Sequence, residues 1–228
     1  MLVKRNKMFL IIGMVTSALI ILSGCMGASP TENIYTTLEK VVTLEDTFKQ
    51  QQQPLIDLEK KENELYNEII SLGMKEYDQI VSLSKEALTV VEERESRTEK
   101  ESESIASAKV EFEKISSEIE KIKEEDVQEK ANSLKDIMEQ RYTSYEKLFD
   151  SYKIAIANDK KLYELFQNKE LEFAQLEEQI VKINESYKIV LNENEQFNDL
   201  TEKYNETKLE FYKQAGLEVE ESNDHETK

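Results

Sequence analysis

Residues 127–166 read VQEKANSLKDIMEQRYTSYEKLFDSYKIAIANDKKLYELF. Apolar side chains recur at Val127, Ala131, Leu134, Met138, Tyr142, Tyr145, Phe149, Tyr152, Ile156, Tyr163 and Phe166. The steps are threes and fours, and Asp159 fills the one gap. A mean step near 3.5 puts these residues on one seam of a long helix, facing partner helices that wind about it with a left-handed twist. No glycine or proline interrupts the run.

Three further seams flank it. One passes through Phe173, Leu176, Ile180, Ile183, Tyr187, Val190, Asn194, Phe197, Thr201, Tyr204, Lys208, Phe211 and Ala215. A second joins Ile80, Leu83, Ala87 and Val90 to Ile105, Ala108, Phe112, Ile115, Ile119 and Ile122. The first segment is thinner: Ile34, Leu38, Val41, Phe48, Leu55, Tyr66 and Ile69. Breaks are expected at Gly73, which can take a positive φ, and at Asp126, a candidate N-cap with Glu129 three residues on. A weaker break falls at Gln167–Glu170. Gly216 suits a helix C′ position with Leu217 folding back, and Pro54 should kink or split the first segment. Four amphipathic segments with short connections predict an all-α fold, an elongated antiparallel up-and-down four-helix bundle. The alternative is a three-helix bundle with a splayed first helix.

The N-terminus carries an address. Lys4, Arg5 and Lys7 precede an apolar stretch from Met8 to Leu22, broken only by Gly13, Thr16 and Ser17. Leu22-Ser23-Gly24-Cys25 follows. This is the build of a secretory signal peptide, too short and wrongly flanked for a spanning helix, and its end has the form of a bacterial lipobox. Such a box receives a diacylglycerol on the cysteine thiol and is cut before it. The expected organisation is a signal peptide over 1–24, a lipidated linker over 25–30, a helical bundle over 31–217 and a disordered acidic tail over 218–228. The mature protein would sit on the outer face of the cell membrane, held by the lipid on Cys25.

Charge limits the partners. The full chain has 30 Lys+Arg against 48 Asp+Glu, a net charge of −18. Residues 1–24 hold Lys4, Arg5 and Lys7 and no acid, so their removal takes the net charge to −21. Such a surface repels nucleic acid and anionic headgroups and favours basic partners or divalent cations. Cys25 is the single cysteine, which leaves no thiol for a disulfide once it carries lipid.

Catalytic patterns are thin. His225, the one histidine, lies in the tail, whereas di-iron bundles need Glu-x-x-His pairs and zinc sites rely on His or Cys. Ser82-Leu83-Ser84-Lys85 matches Ser-x-x-Lys, but the Lys-Thr-Gly that accompanies it in acyltransferases is absent. A glycosidase needs two carboxyls in a concave pocket with one pKa raised. The chain reads as non-enzymatic, with no cofactor and no metal site.

Two stretches read as candidate interaction sites. Glu92–Ser104 lacks any large apolar side chain, yet Val91 and Ile105 lie two heptads apart, so the helix keeps its phase across the gap. Antiparallel pairing brings this stretch near Lys49–Gln53 and near Tyr145, Phe149 and Tyr152. With Arg94 and Arg97, those three aromatic residues could line a groove for a sugar or peptide. The plainer reading packs the tyrosines under neighbouring helices and pairs the arginines with local acids. The second stretch is Asn194, Thr201 and Lys208 on the last seam, beside Asn198 and Asn205, which can fix helix register or present a hydrogen-bonding surface.

The lipobox, the acidic helical body and the run FNDLTEKYNETKLEFY over 197–212, with INESYK over 183–188, resemble the YkyA-type cell-wall-binding lipoproteins of Gram-positive bacteria. The resemblance covers the whole chain. It implies an extracytoplasmic four-helix bundle associated with the cell wall, and it brings no catalytic residues; the chain itself is expected to be a monomer, with peptidoglycan or an envelope protein as its partner. The alternative is a module that recruits or regulates a basic envelope protein such as a wall hydrolase.

Overall fold

The computed structural model describes residues 28–217. The signal peptide, residues 25–27 of the linker with Cys25 among them, His225 and the acidic tail lie outside the described residues.

The described chain is helical, with no strand among the described residues. Its elements are α1 (Pro30–Leu44), α2 (Asp46–Ser71), a 3₁₀ turn (Met74–Glu76), α3 (Tyr77–Phe112), α4 (Ile115–Ile119), α5 (Glu125–Phe166) and α6 (Phe173–Gln214). Helix α1 opens on a capping box. The Ser29 hydroxyl accepts from the Glu32 backbone N–H at 3.2 Å, and Glu32 accepts from the Ser29 N–H at 2.6 Å. Pro30 at the first helical position loses a donor that would have had no partner there. Helix α6 closes as the sequence predicts. Gly216 has φ 68°, its N–H donates to the Lys213 carbonyl at 3.2 Å, and the Leu217 N–H donates to the Tyr212 carbonyl at 3.0 Å.

Three boundaries differ from expectation. Gly73 is extended, with φ −96°, and heads the 3₁₀ turn by donating its N–H to Glu76; it needs no positive φ. Helix α5 begins at Glu125, one residue before the expected cap, because the Gln128 N–H already reaches the Glu124 carbonyl. The first segment divides at Glu45, not at Pro54, which α2 carries inside it. At that division the Leu44 carbonyl, left without a helical partner, accepts the Ser104 hydroxyl at 2.6 Å.

The helices form two compact units. In the first (47–103 and 144–196), α2, α3, α5 and α6 bury Leu65, Tyr66 and Ile69 against Ile80, Ala87 and Val90, with Tyr152, Ile156, Tyr163, Ile183 and Val190. Pairs run antiparallel. Early α2 meets late α3 through Gln51–Arg97, and later α2 meets earlier α3 through Lys61–Glu86. In the second unit (28–46, 104–143 and 197–217), α1 packs on α4. Its core takes Ile34, Leu38, Val41, Phe112, Ile115, Ile119, Leu134, Met138, Tyr142 and Phe211. Lys40 pairs with Glu111 and Asn33 with Glu118, again antiparallel. The first segment therefore contributes buried residues to both units, and the three-helix alternative is not adopted. Burying such side chains contributes about 1.5–3 kcal/mol each. One seam residue fails: Phe173, at the start of α6, is 79% exposed.

Candidate binding groove and buried polar layers

Each unit carries one buried arginine. In the first, Arg94 is fully buried. It stands on α3 where the apolar seam is interrupted, and its spacing from Val91 and Ile105 is that of the seam itself. Its Nη1 bonds Glu62 of α2 and lies 3.0 Å from Asp159 of α5. Its Nη2 donates to the Tyr187 hydroxyl at 2.6 Å and the Tyr152 hydroxyl at 2.9 Å. Glu59 stands at 3.7 Å from Nη2 and accepts the Tyr152 hydroxyl proton at 2.7 Å. Tyr187 donates to Asp159 and Tyr163 to Glu62. The guanidinium fork is thus satisfied from three other helices, as its planar donor set allows. Burial opposes the Arg94 charge, but Glu62, with Tyr152, Tyr187 and Asp159, outweighs it and drives the pKa further up. The same burial raises the Tyr152 and Tyr187 hydroxyls well above the ordinary value. Three carboxylates face one guanidinium.

Two turns further along α3, Glu101 is buried and bonded to Gln52. Burial, reinforced by the charge of Glu59, pushes its carboxyl up to about 8.

In the second unit Arg141 is buried and forks onto Glu45, both nitrogens at 2.8 Å. Its Nε donates to Thr201 at 2.9 Å, and its guanidinium lies 4.8 Å from the Phe197 ring centroid. Glu45 is the residue at which α1 ends, so the helix break delivers the carboxylate. Lys208 is buried with its Nζ over the rings of Tyr204 and Tyr212, at 5.9 and 6.0 Å. Burial lowers its pKa against the opposing pull of Glu39 and Glu45. The polar seam of α6 therefore has two roles in this unit: Thr201 completes the Arg141 layer, and Lys208 is a cation held against aromatic faces.

The residues expected to line a groove divide. Arg94 and Tyr152 come together in the buried layer. Tyr145 is buried and stacks with Phe149 at 6.4 Å, and the Phe48 edge meets Tyr145 at 5.8 Å. Arg97 lies nearer the surface, bonded to Glu93 and to Gln51. Arg94 takes its acids from α2 and α5 rather than from neighbours in sequence.

An open groove does exist in the first unit, on the other side of the Arg94 layer. It has a volume of about 400 Å³ and runs between α2, α5 and α6. Tyr66, Leu162, Ile183, Val181 and Leu191 give it an apolar wall; Glu62 and Asp159 stand at its base and Glu185 and Lys188 at its edge. Val181 and Leu191 are 49% and 42% exposed. Both residues lie off the buried seam of α6, so its three-and-four spacing does not mark them. Among the described residues no helix is long and apolar enough to cross a membrane.

Among the described residues, paired helices, a buried arginine layer in each unit and an apolar groove define a helical-bundle protein. Residues 29–214 match the model of the family YkyA, described as "Putative cell-wall binding lipoprotein", and the chain belongs to that family. It is 40% identical over 211 residues to a Bacillus subtilis (strain 168) protein named "Uncharacterized lipoprotein YkyA", covering 92% of this chain and 95% of that one. The fold also resembles the crystal structure of a conserved protein of unknown function from Staphylococcus aureus. That match has a TM-score of 0.56 and 14% identity, over 82% of this chain and 98% of the other.

Proposed function

We propose that the protein is a non-enzymatic lipoprotein tethered through Cys25 to the outer face of the membrane, where its helical bundle binds the cell wall or supports its organisation. Membership of a family described by wall binding carries this reading. The Leu22–Cys25 box supplies the anchor that the word lipoprotein requires. Two acyl chains hold a protein stably at a bilayer, whereas one is marginal. Cys25→Ala should therefore leave an uncleaved, unlipidated precursor, while mass spectrometry of the wild type from membranes finds an acylated N-terminal cysteine. A mature N-terminus elsewhere, without lipid, overturns the anchor.

A second reading is favoured by charge. Peptidoglycan carboxylates and teichoic phosphates are anionic, and so is this chain, at −18. Long-range attraction then draws basic proteins rather than wall polymer. In this reading the bundle recruits or regulates a basic envelope protein such as a wall hydrolase.

A further inference from the structure

Within the second of these readings, we infer that the groove between α2, α5 and α6 is the docking site, and that its occupant is a basic amphipathic helical segment of a partner protein. Three features select that occupant. The wall is apolar, with Val181 and Leu191 left half-exposed. Isolated exposed aliphatics are ordinary, but these two share one groove with buried Tyr66 and Ile183. They are ten residues apart on one helix, roughly 15 Å, the length over which a docked helix presents successive anchors on one face.

Charge supplies the sign. Glu62, Asp159 and Glu185 line the groove against Lys188 alone. Behind them Arg94 offsets one charge while Glu59 adds another. Exposed Glu185 is the carboxylate that a lysine or arginine on the docking face can reach, and the buried Glu62 and Asp159 add to the field behind it; an acidic segment, or a second copy of this chain, is repelled. A wall polymer bearing carboxylates and phosphates is disfavoured in the same way.

The test uses the lipid-free mature chain, residues 26–228, which keeps every described helix. The probe is a synthetic peptide of leucines and lysines arranged as an amphipathic helix, labelled for fluorescence anisotropy. Its control is a peptide of identical composition, scrambled so that no apolar face forms. At physiological salt, where exposed charges are screened within about 8 Å, the amphipathic peptide should bind and the scrambled one should bind far more weakly. Val181→Ser combined with Leu191→Ser should weaken binding by about tenfold or more, since each change removes an aliphatic contact and leaves the charge of the groove as it was. Ile154→Ser, at a site 60% exposed on α5, should leave it unchanged. Equal binding of the two peptides, no binding of either, or full binding by the double variant with its helicity intact would each overturn the groove assignment. The recruitment reading is tested separately, by crosslinking in intact cells: a basic envelope protein joined at residues outside the groove upholds that reading while the groove falls.

Discussion

Arg94→Met should destabilise the protein by about 3–5 kcal/mol, read as a drop in the urea midpoint at unchanged slope. The two side chains are similar in volume, so the loss is mainly electrostatic rather than that of a cavity. Removing one partner from a buried ion pair leaves its counter-ions dehydrated and unpaired, which costs several kcal/mol. Here Glu62 and Asp159 would remain at 5% and 3% exposure, and the Tyr152 and Tyr187 hydroxyls would lose the donors that now reach them. Arg94→Lys keeps the charge but loses the fork, and should fall between the two. Adding Glu62→Gln and Asp159→Asn to Arg94→Met should restore most of the loss, because a neutral layer no longer buries uncompensated charge. An Arg94→Met protein within 1 kcal/mol of wild type would show that the layer is solvated.

The second large effect depends on pH. The Glu101 carboxyl is pushed from its ordinary 4.5 up to about 8 by burial and by Glu59. Between those values the folded protein holds a proton that the unfolded chain has released. This contribution is whole below pH 4.5 and is lost as the pH rises through 8. At about 1.4 kcal/mol per pH unit the loss is on the order of 5 kcal/mol. Glu101→Gln keeps a partner for Gln52 and cannot ionise. Its melting temperature should match wild type at pH 4.5 and exceed it clearly at pH 8. Parallel pH profiles for the two proteins would show that Glu101 is ionised at neutral pH in the fold.

Much of this architecture was legible as periodicity. The seams of α5 and of most of α6 are buried where the threes and fours place them, and Gly216 ends α6 through the expected carbonyls. What periodicity does not supply is the partners of polar residues that stand in apolar slots. Val91, Arg94, Thr98, Glu101 and Ile105 step by three and four, and all five are buried. So do Gln52, Leu55, Glu62, Tyr66 and Ile69 on α2 once half-buried Glu59 is included. The first segment has a thin apolar stripe because its seam is partly ionic. Phase alone announces those slots. The partners that fill them lie 32 and 65 residues from Arg94, and only the paired helices reveal them. Pro54 does not divide the first segment: α2 carries it inside, and the break falls at Glu45, where Arg141 fixes the carboxylate and the Ser104 hydroxyl donates to the freed Leu44 carbonyl. The groove was illegible because Val181 and Leu191 are exposed, and exposed aliphatics carry no periodic signal.

Retention of the lipid-free chain on purified cell-wall sacculi tests wall binding most directly. An acidic domain that binds an anionic polymer must do so through short-range contacts. Raising salt damps like-charge repulsion within a Debye length of about 8–10 Å, so retention should hold or improve as salt increases. Failure to sediment with sacculi at any salt would contradict wall binding by the folded domain.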